Sequence, residues 1–174
     1  MPDTIVALCL LIFAGSMAWA GVSDLLTMKI PNKCVLLLFA AFLAVVPFAP
    51  MSWAVLADHA IVMTGVLVLT FALFMFNALG AGDGKLIAVS TLWLGGTASI
   101  YFVLMFAALG GFVALGVLLM RSAALPVRLA THPVVVRLQS SERPVPYGLA
   151  IAPAGVLSLP YSPWAAWVPF LPTI

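Results

Sequence analysis

Long apolar stretches alternate with short polar breaks along this chain, and the stretches have the length of helices rather than strands. Residues 4–22 form a run long enough to span a bilayer, since about 20 helical residues cover a hydrocarbon core of about 30 Å. Ala18-Trp19-Ala20 imitates a signal-peptide cleavage site, but the run exceeds the usual apolar core of about 7–15 residues and is preceded by Asp3 rather than a cation. A retained first span is therefore predicted. Residues 23–33 are a polar break in which Pro31 should end any helix continuing from the first span. A second span is predicted from about residue 34 to the prolines at 47 and 50 or a little beyond. Asp58 and His59 read as a short polar connection, and residues 60–79 as a third span.

The stretch Asn77-Ala78-Leu79-Gly80-Ala81-Gly82-Asp83-Gly84-Lys85-Leu86 is the one place where three glycines, a carboxylate and a cation interrupt the apolar pattern together. A fourth helix is predicted to start inside this loop and to run through residues 86–94. Gly95-Gly96 should loosen it before a fifth span over about residues 100–120, the two forming a hairpin. Residues 121–145 are the only long connection and hold four arginines. A last span begins near Tyr147, with Pro146 in its first turn and Pro153 bending it, while Pro160, Pro163 and Pro169 blur its far end.

Composition turns this pattern into a class. The chain is 65% hydrophobic and 7% charged, against about 25% charged in a soluble domain, so a single polytopic membrane domain over residues 1–174 is the expectation. Cys9 and Cys34 lie in apolar runs without a Cys-x-x-Cys pattern or a nearby histidine, and read as small packing residues. The cations are spread over short connections and not gathered on one face, which argues against a nucleic-acid partner. Their placement orients the chain. With six transmembrane helices, Lys29, Lys33, Lys85 and the four arginines all fall on one side, while Asp3, Asp58 and both termini fall on the other. The positive-inside rule makes the cationic side cytoplasmic and the termini non-cytoplasmic. Trp53, Trp93, Trp164 and Trp167 then fall near the opposite boundary, as an aromatic belt would. The arginine connection should rest on anionic lipid, and His132 reads as an ordinary loop residue.

Asp24 and Asp83 come to the cytoplasmic ends of the first and fourth spans, and carboxylates beside a membrane core are costly enough to suggest function. Each has a plainer reading, Asp83 as a cap on the helix after it and Asp24 as a solvated loop residue. Together they suit peptide hydrolysis, in which one carboxylate activates water and a second, protonated, polarises the carbonyl. Gly80 and Gly82 would permit unusual backbone angles and close approach of an extended strand. Serines are scattered, the two histidines fall on opposite sides and Glu142 has no acidic neighbour, so no other group offers comparable chemistry.

Three blocks carry a resemblance across nearly the whole chain. They are Asp24 with Lys29-Ile30-Pro31-Asn32, Gly80-Ala81-Gly82-Asp83 with Lys85-Leu86, and Val145-Pro146-Tyr147-Gly148-Leu149-Ala150-Ile151-Ala152. In this order they resemble the type IV prepilin peptidases, the Gly-x-Gly-Asp aspartic peptidases of bacterial and archaeal inner membranes. The resemblance implies Asp24 and Asp83 as a catalytic dyad, no metal or cofactor, and a prepilin or pseudopilin substrate cut at the cytoplasmic face after a short charged leader. Around that pair, Gly80, Gly82, Lys85, Pro31, Asn32, Tyr147 and Gly148 are expected to bind substrate or support the site. Larger relatives also N-methylate the new terminus through an extra domain with paired cysteines. This chain resembles the short form associated with tight-adherence (Flp-type) pili, which implies a peptidase without the methyltransferase activity.

Lys85 has two open readings, a partner for a nearby carboxylate or substrate backbone, and a positive-inside anchor. Gly148 and Gly155 are expected chiefly to let helices pack closely. The competing function is a proton- or cation-coupled transporter whose aspartates bind the ion near a broken helix, although such sites usually lie near the midplane.

Overall fold

The computed structural model describes residues 2–49, 51–123, 126–140 and 144–167. Glu142, Arg143 and Pro169, and the side chains of Asp3 and Trp167, lie outside that description. The order is α1 (Pro2–Thr27), α2 (Asn32–Val45), α3 (Trp53–Met75), α4 (Ala81–Ser122), α5 (Val127–Ala130), α6 (Pro133–Gln139) and α7 (Gly148–Ser158), with no strand among the described residues. Single 3₁₀ turns extend α2 over Val46–Phe48 and α7 over Leu159–Tyr161.

α1, α3 and α4 are each long and apolar enough to cross a bilayer, while Asn32–Phe48 and Gly148–Tyr161 are shorter apolar helices. At 42 residues, α4 would reach about 63 Å if straight, twice a hydrocarbon core. It is interrupted at Gly95, whose φ of 71° and ψ of −179° no helix accommodates. Glycine supplies that φ without the steric cost a side chain would bring. The break divides α4 into residues 81–94, only about 21 Å of helix, and residues 96–122. The fourth helix does begin inside the glycine loop, at Ala81.

The short loops are closed by backbone geometry. At the end of α3, Asn77 takes a left-handed φ of 57°. The Asn77 and Ala78 N–H groups then donate to the carbonyls of Phe74 and Leu73, both at 2.9 Å, which satisfies carbonyls the helix end leaves free. At the end of α1, Met28 has φ 55° and its N–H donates to the Asp24 carbonyl at 2.8 Å, a left-handed cap of the simpler kind. Asp24 therefore stands in the last turn of a helix, not in the polar break the sequence suggests. α3 likewise stops at Met75, short of residue 79.

Residues 81–94 form the central rod. From Leu86 to Leu94 every residue is buried, among α2, α3 and α7, with Phe13 and Met17 of α1 reaching Trp93 and Ser90. Trp93 lies 5.3 Å from Phe13, 5.6 Å from Phe42 and 5.5 Å from Trp164 between ring centroids. Its indole N–H donates to the Leu38 carbonyl at 3.0 Å, and that of Trp164 donates to the Trp93 carbonyl at 2.6 Å. These two tryptophans are thus core residues and not part of an interfacial belt, whereas Trp53 is 86% exposed. Both cysteines are buried and free. By contrast, α3 and residues 96–122 present Ile61, Val68, Phe71, Leu104, Phe112 and Leu118 outward. That is far more apolar surface than a soluble monomer exposes, and it suits contact with lipid.

Asp58 and His59 depart most from the sequence reading. They lie inside α3, which Ser52 begins by accepting a hydrogen bond from the Val55 N–H at 3.3 Å, and His59 is completely buried. α7 runs on through Pro153, and Pro146 precedes it by two residues.

Candidate active site

Three helix ends converge on one cavity of about 280 Å³. The last turn of α1 brings Asp24, the first turn of α4 brings Gly82 and Asp83, and the approach to α7 brings Pro144 and Val145. Met28, Lys29 and Ile30 complete the wall from the loop after α1. Two carboxylates far apart in sequence therefore face a common space.

Asp24 is 6% exposed, and its Oδ2 accepts a hydrogen bond of 2.8 Å from the Gly148 N–H in the first turn of α7. A hydrogen bond to a charged group is stronger than a neutral one, and this one also satisfies an N–H that the helix start leaves free. The fit allows nothing larger than glycine. A Cβ at residue 148 would stand 2.8 Å from the Asp24 Cβ, 2.9 Å from Oδ2 and 3.1 Å from Cγ. Gly21 and Gly155 hold the same two helices together, a Cβ at 21 meeting Ala152 at 3.0 Å and one at 155 meeting the Met17 Cε at 2.5 Å. Close approach of α1 and α7 is what delivers the amide to the carboxylate.

Asp83 reaches back to the backbone amide of Gly80, the residue that begins α4. This is the reciprocal contact of a helix start, in a place where the helix dipole favours an anion. The glycines around it have one explanation each, and it is space. Gly80 has an ordinary extended backbone, but its Cβ would lie 2.7 Å from the Asp83 Oδ2. A Cβ at Gly82 would lie 3.1 Å from that of Ile30, and one at Gly84 3.1 Å from that of Thr70. Among the described residues only Gly95 has a positive-φ glycine backbone, so unusual angles are not what the Gly80-to-Gly84 run provides.

The remaining residues singled out from the sequence divide. Gly80 and Gly82 line the cavity. Lys85 does not; it is exposed on the other side of α4, beside Leu67, Thr70 and Phe71, and its Nζ donates to the Asn32 Oδ1 at 3.3 Å. With Ile30 against Gly82, this bond docks the α1–α2 loop on the start of α4. Pro31 sets the start of α2 with an extended backbone, and Tyr147 packs its ring on Phe106 with centroids 6.3 Å apart. Neither lines the cavity. The wall residues the sequence reading left out, Met28, Lys29, Ile30, Ala81, Pro144 and Val145, all lie within or beside the motif blocks, which is the signal that could have found them.

If Lys85 acts by docking the loop, Lys85→Ala and Asn32→Ala should each lower activity only a few-fold. The double variant should be no worse than the poorer single, because an exposed pair contributes about 0.2–1 kcal/mol. Additive losses in a double-mutant cycle would show that the two side chains act separately.

A model of the type IV leader peptidase family matches residues 11–115, which include Asp24 and the Gly-x-Gly-Asp turn. No curated protein and no solved structure matches the chain. The matched stretch ends before Gly148, so the geometry ties the C-terminal block to the same site independently of it. That stretch covers more than half of the chain, which belongs to the type IV leader peptidase family.

Proposed function

We propose that the protein is a membrane aspartic endopeptidase, one polytopic domain that removes the leader of a prepilin or pseudopilin by water activation between Asp24 and Asp83. The observation that carries this reading is that both carboxylates line one cavity in a chain of this family. One carboxylate, ionised, takes a proton from water as the water oxygen bonds to the scissile carbonyl carbon. The other, protonated, donates to the carbonyl oxygen, giving a neutral tetrahedral diol. As the C–N bond breaks, the first carboxyl gives its proton to the amide nitrogen and the second takes one from a diol hydroxyl, so the pair ends with the single proton it began with.

The six apolar helical segments, α1, Asn32–Phe48, α3, the two parts of α4 and Gly148–Tyr161, support a six-span reading. With that count, Lys29, Lys33 and Lys85 share the dyad's end and the positive-inside rule makes it cytoplasmic, in an inner membrane, with both termini outside. Prepilins of tight-adherence pili are the favoured substrates. The family match favours hydrolysis over ion-coupled transport. Mass spectrometry of the N-terminus of a co-expressed prepilin tests the reading. The leader should be absent with this protein and present without it, and a leader that persists with inserted wild-type protein across candidate pilins would sink the proposal.

A further inference from the structure

At the opposite end of the central rod, the break at Gly95 separates a donor and an acceptor. In an unbroken helix the Gly96 N–H would donate to the Leu92 carbonyl. Here both groups bond instead to consecutive side chains of α3. The Gly96 N–H donates to the Asp58 Oδ2 at 2.7 Å, and His59 Nδ1 lies 2.7 Å from the Leu92 carbonyl oxygen. A carbonyl can only accept, so Nδ1 carries the hydrogen of this bond. The fit is close on both sides. A Cβ at Gly95 would stand 2.8 Å from the His59 Nε2, and one at Gly96 2.8 Å from the Asp58 Oδ1. Trp164 takes up the next carbonyl, that of Trp93.

We propose that Asp58 and His59 are positioning residues, a side-chain splice that fixes the axial register of residues 81–94 and so the place of Asp83 at the rod's other end. Along most of its length the rod has little else to set that register. Leu86, Ile87, Ala88 and Val89 make apolar contacts, which are non-directional. The Ser90 and Thr91 hydroxyls bond back to their own helix, at Leu86 and Ala88, and Ser90 adds only a weak 3.5 Å contact to the Met17 sulfur of α1. Near the dyad the ties are long, the Thr70 hydroxyl to the Gly84 carbonyl and the Lys85 Nζ to the Asn32 Oδ1, both at 3.3 Å. The short directional ties to other elements therefore gather near the break, those of Asp58 and His59 with the indole bonds of Trp93 to Leu38 and of Trp164 to Trp93. Because the rod is buried from Leu86 to Leu94, a shift at one end is carried to the other as a rigid displacement.

The inference rests on the dyad reading for its effect on catalysis but not for its effect on geometry, and the test separates the two. The variants are Asp58→Ala, His59→Ala and the rescuing pair Asp58→Asn and His59→Asn, which keep an acceptor for Gly96 and a donor for Leu92. Steady-state cleavage of a purified prepilin is measured with each. Separately, the distance between nitroxides on Lys33→Cys and Lys85→Cys is measured in a Cys9→Ala/Cys34→Ala background. The alanine variants should lower kcat at least 10-fold with KM within about 2-fold, since a misplacement of about 1 Å can cost about 100-fold. They should also shift or broaden the distance distribution, and the asparagine variants should restore both. A variant that merely unfolds would lose the distance distribution without rescue, and that outcome counts against positioning. An unchanged distance, or wild-type kcat in both alanine variants, overturns the proposal. If wild-type protein cleaves no prepilin, the dyad reading fails and the distances alone decide.

Discussion

Asp83→Asn is expected to leave the leader on a co-expressed prepilin, with kcat/KM lowered at least 10³-fold while the protein remains folded in the membrane. General acid–base catalysis by one positioned side chain contributes about 10²–10⁴-fold, and a carboxylate pair that shares one proton loses its function when either member becomes an amide. The change is close to isosteric, and an amide oxygen can still accept from the Gly80 backbone, so the start of α4 should persist. Asp24→Asn should behave alike, because its side-chain oxygen can still accept from the Gly148 N–H. The double variant should be no less active than either single, as residues acting as one unit are not additive. N-terminal mass analysis of the pilin reads all three, and complete leader removal by either single variant would exclude the dyad.

Gly148→Ala should reduce kcat/KM about 10- to 150-fold without touching a carboxylate. The added methyl falls within about 3 Å of three Asp24 side-chain atoms, so Asp24 has to move away from the N–H that holds it. A hydrogen bond to a charged group is worth about 1.5–3 kcal/mol, which sets that range. Gly111→Ala is the matched control. A Cβ there meets nothing within 4 Å, and alanine is favoured over glycine in a helix by about 1 kcal/mol. It should keep full activity and gain thermal stability in detergent, and Gly148→Ala with wild-type kcat/KM would show that the amide contact is dispensable.

Asp24 and Asp83 could be singled out from the sequence because ionisable groups are so rare in this chain that each asks for an explanation. Asp24 and Asp83 line one cavity, at helix ends that sequence blocks had marked. The reasons behind the motif were less legible. Glycines near Asp83 suggested backbone freedom, whereas Gly80, Gly82 and Gly84 leave room for Asp83, Ile30 and Thr70, neighbours from elsewhere in the chain or one turn on. Gly148 suggested helix packing, and only the crossing of α1 and α7 reveals its N–H on a carboxylate. Asp58 and His59 misled for a physical reason. Polar residues in an apolar chain are read as marking a loop in water, but the helix break frees an N–H and a C=O that need polar partners, which exposed Asp58 and buried His59 supply from within a helix. Trp93 and Trp164 misled similarly, since an indole N–H can be satisfied by a core carbonyl as well as by an interface.

The bond from Gly148 to Asp24 joins residues 124 positions apart. Synthesis proceeds at about 5–20 residues per second, so roughly 6–25 s separate the appearance of the carboxylate from that of its donor. Both aspartates are already in the nascent chain while the ribosome is still translating the arginine-rich connection, but Asp24 has no amide to hold it until the last helix arrives. The contact that holds Asp24 can therefore form only after α7 has been made, well after both carboxylates.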